Sequence, residues 1–220
     1  MKVSVSILKE CNRLDYAIKK VNESSADFLH VDVMDGKFVE NKAFLFEDYK
    51  KVAQLSKKKL DVHMMVQDYS MIEKYLTLKP YLLTFHVEII KDSSLIKYVK
   101  ESKTKVGLAI NPETSIEKLM PYINDIDLVL FMSVTPGKGG QTFKKEVISK
   151  IKQLKKVAPK DLLISIDGGV NKDTINLCKK AGCSMVVSGS YITNEEDYEK
   201  QIETLRSVSY THLRVHETGR

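Results

Sequence analysis

The sequence predicts a single-domain α/β fold in which eight strands and the helices between them form a closed (βα)8 barrel. Short apolar runs rich in β-branched residues are followed by longer segments with helical periodicity, about eight times in roughly 205 residues. Alternating β and α units indicate a parallel sheet. Eight units in this length favour a barrel, and no Gly-x-Gly-x-x-Gly motif follows the first strand to support an open dinucleotide-binding sheet.

The predicted elements follow from these patterns in chain order. Strands are predicted at residues 3–8, 27–33, 60–66, 81–86, 106–110, 128–134, 162–166 and 185–188. Amphipathic helical segments are predicted at residues 13–22, 69–78, 94–100, 144–157, 174–180 and 195–206. No linker or low-complexity segment interrupts them, so we expect one domain over residues 1–208.

Residues 209–220 differ from the rest of the chain. They read SYTHLRVHETGR, with neither a helical nor a strand period and with two of the four arginines in the sequence. The segment resembles translated sequencing-adapter DNA, and we expect a non-native or disordered tail. Without Arg214, Glu217 and Arg220 the net charge of +6 becomes +5, and His212 and His216 leave the list of candidate site residues.

Composition excludes several classes of protein. With 43% hydrophobic and 29% charged residues the chain is typical of a globular protein, and no stretch approaches the roughly 20 apolar residues of a membrane span. The sequence begins directly in a strand-like run, so we expect a cytoplasmic protein with no membrane partner. Three cysteines, Cys11, Cys178 and Cys183, lack zinc or disulfide spacing and are expected to be reduced. The positive charge comes from lysines on helical faces, which does not predict a nucleic-acid partner.

Unusual polar residues are found where the predicted strands end. His30 and Asp32 alternate on one face of the second strand, His63 follows on the third, and Asp167 ends the seventh. In a barrel these strand ends converge, and two imidazoles with two carboxylates suit one divalent ion of zinc, iron, manganese or cobalt. Each residue alone could be structural, and the joint pattern carries the prediction. His86 ends the fourth strand and is expected either in the site or behind it.

Three glycine-containing loops follow the last three strands. They cover residues 135–141, 167–169 and 188–190. Glycine lets backbone N–H groups approach an anion, and barrels often bind phosphate on their last loops. One such loop could be a simple tight turn, whereas three on consecutive strands predict a phosphate site to which Lys138 adds a positive charge.

These residues together resemble the ribulose-phosphate 3-epimerase family. The matching motifs are SIL at 6–8, H-x-DVMDG-x-FV-x-N at 30–41, DVHMMV at 61–66, H-x-E at 86–88, PG-x-GGQ at 136–141, DGG at 167–169 and GS at 189–190. The resemblance extends over about residues 3–206. It implies a TIM barrel that interconverts D-ribulose 5-phosphate and D-xylulose 5-phosphate in the pentose phosphate pathway.

The resemblance also implies roles for individual residues. His30, Asp32, His63 and Asp167 would bind the metal, and Asp32 and Asp167 would be the catalytic acid and base. The implied substrate contacts are Ser6, His63, Lys138, Gly139, Gly140, Gln141, Asp167, Gly168, Gly169, Gly189 and Ser190. Inverting a carbon next to a ketone requires two proton-transfer groups on opposite faces, with a metal stabilising the enediolate between them. Met34, Met65 and Met132 would line the site, although methionines at such positions are often plain core.

The sequence also departs from the family pattern. Lys9-Glu10-Cys11 stands where Ser-Ala-Asp is usual, Glu40 replaces a proline, and Thr135 and Lys138 replace a glutamate and an aromatic residue. Residues 43–46 also lack the expected glycine. These departures leave two alternatives open, a D-allulose-6-phosphate 3-epimerase and a catalytically silent sugar-phosphate-binding barrel. Homo-oligomers are common in the family, and the sequence does not indicate a number of subunits.

Overall fold

A computed structural model of the protein describes residues 1–207 of the 220-residue chain. The predicted tail at 209–220, with His212, His216 and the charges of Arg214, Glu217 and Arg220, lies outside the described residues. None of the helices in residues 1–207 is both long enough and apolar enough to cross a membrane.

Eight parallel strands form the closed barrel that the alternation predicts. They are β1 (Lys2–Ser6), β2 (Phe28–Asp35), β4 (Lys59–Met65), β5 (Leu82–His86), β6 (Lys105–Ile110), β7 (Leu128–Met132), β8 (Leu163–Asp167) and β9 (Met185–Ser188). The spatial order runs β1-β9-β8-β7-β6-β5-β4-β2, and β1 also pairs with β2, which closes the ring. A two-residue strand, β3 (Lys42–Ala43), pairs antiparallel with the end of β2. The (βα)8 TIM barrel is therefore confirmed.

Helices connect the strands around the outside of the barrel. The α-helices are α1 (Leu14–Glu23), α2 (Phe46–Leu55), α3 (Tyr69–Leu76), α4 (Ser94–Glu101), α5 (Val147–Val157), α6 (Ile175–Ala181), α7 (Ser190–Thr193) and α8 (Tyr198–Ser207). Short 3-10 helices cover Leu8–Arg13, Val87–Ile89, Ile116–Lys118 and Met120–Tyr122. Two of these 3-10 turns replace an α-helix between β6 and β7, where Pro112 and Pro121 restrict helix formation.

The observed boundaries differ from the predicted ones at a few ends. The predicted strand 3–8 ends at Ser6 because the chain turns into a 3-10 helix at Leu8. The predicted strand 128–134 ends at Met132, and the helix predicted from residue 144 begins at Val147. The last helix begins at Tyr198 rather than residue 195. Both β3 and α2 lie in a stretch without a predicted element. Apolar periodicity predicts where an element lies more accurately than where it begins or ends, because the frayed turns at its ends contain the same residue types.

Two layers of apolar packing follow from the alternation of side chains along each strand. Residues such as Val31 and Ile166 point outward and join a continuous core with the helices, while residues such as Leu130 and Met185 fill the barrel interior. His30 and Asp32 share the interior parity of Phe28 in β2. The hydrophobic pattern of the strand therefore directs these polar side chains into the barrel.

Candidate metal centre and anion-binding cleft

Four predicted ligands meet inside the carboxyl-terminal end of the barrel. Each of His30, Asp32, His63 and Asp167 offers one ligand atom, and these atoms all lie within 4.8 Å of one another. Oδ1 of Asp32 is 3.2 Å from Nε2 of His30 and 3.3 Å from Nδ1 of His63. Oδ2 of Asp167 lies 4.0 and 3.9 Å from the same two nitrogens. The convergence expected from the strand ends is present in the structure.

Strand register explains why these residues meet. In the β2–β4 pairing, Asp32 is opposite His63 and His30 is opposite Asp61. All four side chains share the inward parity, so they stack along the interior rather than on the outer face. Asp167, at the end of β8, reaches the same place because only β1 and β9 separate β8 from β2 around the ring.

A carboxylate behind His30 orients its ring. Nδ1 of His30 lies 2.7 Å from Oδ2 of Asp61, an oxygen that also accepts a hydrogen bond of 2.8 Å from the Ser4 hydroxyl. With Nδ1–H donating to this carboxylate, Nε2 is the ring nitrogen that faces Asp32 and Asp167, and it would bind a metal ion after losing its proton. An unprotonated nitrogen held by a carboxylate behind it is the arrangement found at most metal-binding histidines.

His63 is supported by a longer chain of polar groups. Its Nε2 lies 3.0 Å from Nε2 of His86, whose Nδ1 lies 3.1 Å from Oε2 of Glu88. The other oxygen of Glu88 accepts the backbone N–H of Asn111 at 2.9 Å. His86 is fully buried and is not among the residues that line the cleft. Of the two positions left open for His86, the structure places it behind the site.

The pKa values of the two carboxylates in the cluster are shifted in opposite directions. Burial alone would raise the pKa of Asp32, but the neighbouring His30 and hydrogen bonds from His30 and His63 hold that pKa well below its ordinary value. Burial and the nearby Asp32 raise the pKa of Asp167 to about 6. Burial opposes the charge of His30, yet Asp61 and Asp32 raise its pKa well above the ordinary value. The cluster thus holds closely spaced negative charge that favours a cation.

The donor set fits a divalent transition-metal ion. Two imidazole nitrogens and two carboxylate oxygens converge, and the two histidine side chains are completely shielded from solvent. The groups behind the histidines, Asp61 and His86, satisfy the ring nitrogens that face away from the cluster. His30, Asp32, His63 and Asp167 could therefore hold one metal ion.

A cleft opens directly above the cluster. Asp32 and Asp167 form part of its wall. Ten of the eleven predicted substrate contacts line it: Ser6, Lys138, Gly139, Gly140, Gln141, Asp167, Gly168, Gly169, Gly189 and Ser190. His63, the other predicted contact, is fully buried and does not line the cleft. Ser6 donates a 2.7 Å hydrogen bond to Oδ2 of Asp32, so it also holds the carboxylate in place.

Three methionines make the apolar part of the wall. Met34, Met65 and Met132 line the cleft and are at most 2% exposed. Met132 also packs within the barrel interior, so it is both a core residue and part of the cleft wall. Their thioethers provide a polarizable surface without acidic protons next to the two carboxylates.

The three predicted loops meet at the rim of the cleft. Four amide groups there, the N–H groups of Gly139, Gly140, Gly169 and Gly189, have no backbone acceptor among the loop and turn hydrogen bonds of residues 1–207, whereas the N–H of Gly168 faces β9 through the Asp167–Val187 pairing. Gly168 and Gly169 have φ values of +110° and +61°, which glycine adopts without strain. Backbone donors gathered without partners at one rim can bind an anion.

Several residues of the site were not predicted. Asp61 and Glu88 belong to recognised motifs, yet their contacts depend on neighbours in other strands. Lys9 lines the cleft from the 3-10 helix after β1. Its position just beyond a barrel strand is the one sequence signal that could have identified it.

Known proteins are similar to this chain over most of its length. The model of the ribulose-phosphate 3-epimerase family matches residues 2–193. The protein named ribulose-phosphate 3-epimerase from Bacillus subtilis (strain 168) is 38% identical over 216 residues, with 94% of this chain and 98% of that protein covered. The protein named ribulose-phosphate 3-epimerase, cytoplasmic isoform, from Oryza sativa subsp. japonica is 35% identical over 187 residues, with 82% of each covered.

Solved structures are similar in fold. The phosphoribosyl anthranilate isomerase from Thermococcus kodakaraensis has a TM-score of 0.67 at 14% identity, and the match covers 94% of this chain and 97% of that one. At that identity only the barrel fold is comparable. The family match and the sequence relatives agree with the motifs quoted above, and by them the chain belongs to the ribulose-phosphate 3-epimerase family, a family of enzymes.

Proposed function

We propose that this protein is a metal-dependent epimerase that inverts C3 of a ketose phosphate and interconverts D-ribulose 5-phosphate and D-xylulose 5-phosphate. The observation that carries the proposal is the pair of carboxylates, Asp32 and Asp167, which enter one cleft from β2 and β8 beside two buried histidines. The family match and the substrate named for the relatives support the choice of sugar phosphate.

The two carboxylates perform the proton transfers. One of them removes the C3 proton from one face of the substrate, and the electron pair passes into the adjacent ketone to form an enediolate. The other returns a proton to C3 from the opposite face, which inverts the centre. The reverse reaction exchanges their roles. Ser6 orients Asp32 through its 2.7 Å hydrogen bond.

His30, Asp32, His63 and Asp167 would hold the metal, which is zinc, iron, manganese or cobalt. When bound, such an ion supplies Lewis-acid stabilisation of negative charge on the substrate oxygens next to C3. Met34, Met65 and Met132 exclude water from this end of the cleft. At the rim, the amides of residues 139–140, 168–169 and 189–190 bind the phosphate, together with Lys138 and Gln141.

Two measurements test the proposal. Epimerase activity should disappear on treatment with a chelator and return with a divalent metal. The variants Asp32→Asn and Asp167→Asn should retain the fold, measured by circular dichroism, and lose turnover by at least about a hundredfold, the range of a lost general acid or base. Full activity in either variant would contradict the two-carboxylate mechanism.

Solvent deuterium exchange distinguishes the alternative substrates. The proposal is supported if deuterium is incorporated at C3 of D-ribulose 5-phosphate faster than at C3 of D-allulose 6-phosphate. The reverse preference would identify a D-allulose-6-phosphate 3-epimerase, whose chemistry is the same. Binding without exchange into either sugar would identify the catalytically silent barrel. Both carboxylates and both histidines of the cluster are present, which favours an active enzyme.

Cellular context follows from the same proposal. The reaction belongs to the pentose phosphate pathway, and we place the protein in the cytoplasm, as the name of the Oryza sativa relative states for that protein. A homo-oligomer is also proposed, to be tested by light scattering.

A further inference from the structure

Charge is divided between the two ends of the cleft. The carboxylates of Asp32 and Asp167 lie at the inner end, beside the histidine cluster. Two cations line the cleft, Lys9 and Lys138. A ligand that fits this division has polar oxygens at one end and an anionic group at the other.

Lys9 reaches across the cleft from a different element than the glycine loops. It belongs to the 3-10 helix Leu8–Arg13, directly after β1. A Cβ placed on Gly140 would lie 2.5 Å from Nζ of Lys9, and a Cβ placed on Gly139 would lie 3.4 Å from its Cε. The lysine side chain therefore lies against the backbone of the loop after β7, where glycine leaves room for it.

The ammonium group of Lys9 is available for a ligand. Within residues 1–207 it takes part in no ion pair, whereas the arginines of that part of the chain are engaged, Arg13 with Glu10 and Arg206 with Asp27. Lys9 is exposed at the rim, next to the free amides of Gly139 and Gly140. An unpaired cation beside unpaired backbone donors forms a stronger anion site than either feature alone.

We propose that Lys9 is a substrate-binding residue whose ammonium group pairs with the phosphate of the sugar phosphate and closes the anion site from the β1 side. This inference rests on the proposed function for the identity of the ligand. Lys9 stands where the family pattern has an uncharged residue, so the contact is a property of this chain.

The test compares Lys9→Gln, which keeps most of the side-chain length, with Lys9→Arg, which keeps the charge. Lys19→Gln is the matched control, because Lys19 is an exposed residue of α1 and its replacement removes the same charge away from the cleft. The first measurement is the dissociation constant of inorganic phosphate for the metal-loaded protein, by calorimetry. We expect it to rise about fivefold to tenfold in Lys9→Gln, the range of one partly solvated charge contact, and to stay near the wild-type value in the other two variants.

The second measurement is steady-state epimerisation of D-ribulose 5-phosphate and of unphosphorylated D-ribulose. In Lys9→Gln, KM for the phosphorylated sugar should rise by the same factor with kcat nearly unchanged, since the contact is made in ground and transition states alike. The unphosphorylated sugar should react as with wild type, and the effect should shrink in high salt.

The two measurements distinguish a failure of the role proposed for Lys9 from a failure of the proposed function. An unchanged phosphate dissociation constant in Lys9→Gln, or an equal loss with both sugars, would overturn the role of Lys9. If the wild-type protein binds phosphate through Lys9 but epimerises neither sugar, the proposed function fails and the inference stands.

Discussion

The imidazoles of His63 and His86 face each other through their Nε2 atoms, 3.0 Å apart. One of these nitrogens must carry the proton and the other must accept it. Because Nδ1 of His63 points at Asp32, a metal-binding His63 has Nδ1 unprotonated and donates through Nε2–H. His86 then accepts at Nε2 and donates from Nδ1 to Glu88. The charge of Glu88 thereby determines the tautomer of His63 through the ring of His86.

Replacing Glu88 with glutamine should weaken metal binding. The carbonyl oxygen of the introduced glutamine would accept the hydrogen bond from the backbone N–H of Asn111. The NH2 group of the glutamine would then face Nδ1 of His86 and force that nitrogen to accept, which reverses the tautomer of the His86 ring. His86 would then present an N–H to the N–H of His63. We expect the affinity for zinc or manganese, measured by competition with a chelating dye, to fall about 10- to 100-fold.

The control for this variant is Glu113→Gln. Glu113 is an exposed carboxylate paired with Lys144, so its loss removes the same charge without touching the cluster. Its metal affinity should equal that of wild type. If Glu88→Gln binds metal as tightly as this control, the orienting chain from Glu88 to His63 is wrong.

Glu88 should also make the stability of the metal-free protein depend on pH. Burial opposes ionisation, but hydrogen bonds from His86, Thr114 and the backbone of Asn111 lower the pKa of Glu88 to about 2, from an ordinary 4.5. A lowered pKa stabilises the fold above pH 4.5, and this contribution is lost as the pH falls toward 2. Between about pH 6 and pH 3, wild type should lose about 2 kcal/mol more unfolding free energy than Glu88→Gln. Urea unfolding at the two pH values measures the difference, and parallel losses in both proteins would refute it.

Gly169→Ala should impair substrate binding through the neighbouring loop. At φ +61° an added Cβ would lie 2.8 Å from the backbone N of Phe143 and 3.0 Å from the carbonyl oxygen of Gln141. Backbone cannot move aside as a side chain can, so the loop that lines the cleft must shift. We expect a raised KM together with a stability loss of about 1 to 2 kcal/mol.

Gly182→Ala separates these two effects. Gly182 ends α6 at φ +102°, and its added Cβ would meet only the flexible side chain of Lys155, at 3.0 Å. This variant should lose stability by a comparable amount in thermal unfolding and keep the wild-type KM. A raised KM in both variants would attribute the effect to general destabilisation.

The three cysteines should react very differently with a thiol reagent. Cys11 is exposed, whereas Cys178 and Cys183 are buried, and all three are free thiols. Burial raises the pKa of Cys178 to about 12. Burial, and to a smaller extent the nearby Cys178, raises the pKa of Cys183 still further. Burial also raises the pKa of Cys11, but its thiol remains exposed, so with dithionitrobenzoate at about pH 8 one thiol should react well before the other two in the native protein, and three should react after denaturation. The variant Cys11→Ser should show no rapid reaction, and a fast second thiol would contradict the buried assignment.

Much of the barrel could be predicted because strand patterns are local. Alternation along β2 already places His30 and Asp32 on one face, and the order of the strands brings Asp167 to the same end. The four candidate ligands followed from parity and position alone. The two 3-10 turns between β6 and β7 and the helix α2 were less accessible, since short or weakly periodic segments take their conformation from the surface they pack on.

The βα alternation, the inward parity of the ligands and the glycine loops could be predicted from the sequence, since each depends on residues a few positions apart. The support of His63 by His86, the orientation of His30 by Asp61 and the position of Lys9 over Gly140 are visible only in the folded barrel. These partners are separated by 23, 31 and more than a hundred residues. Their approach depends on strand register and on the closing of β1 against β2 and β9, which no local pattern encodes.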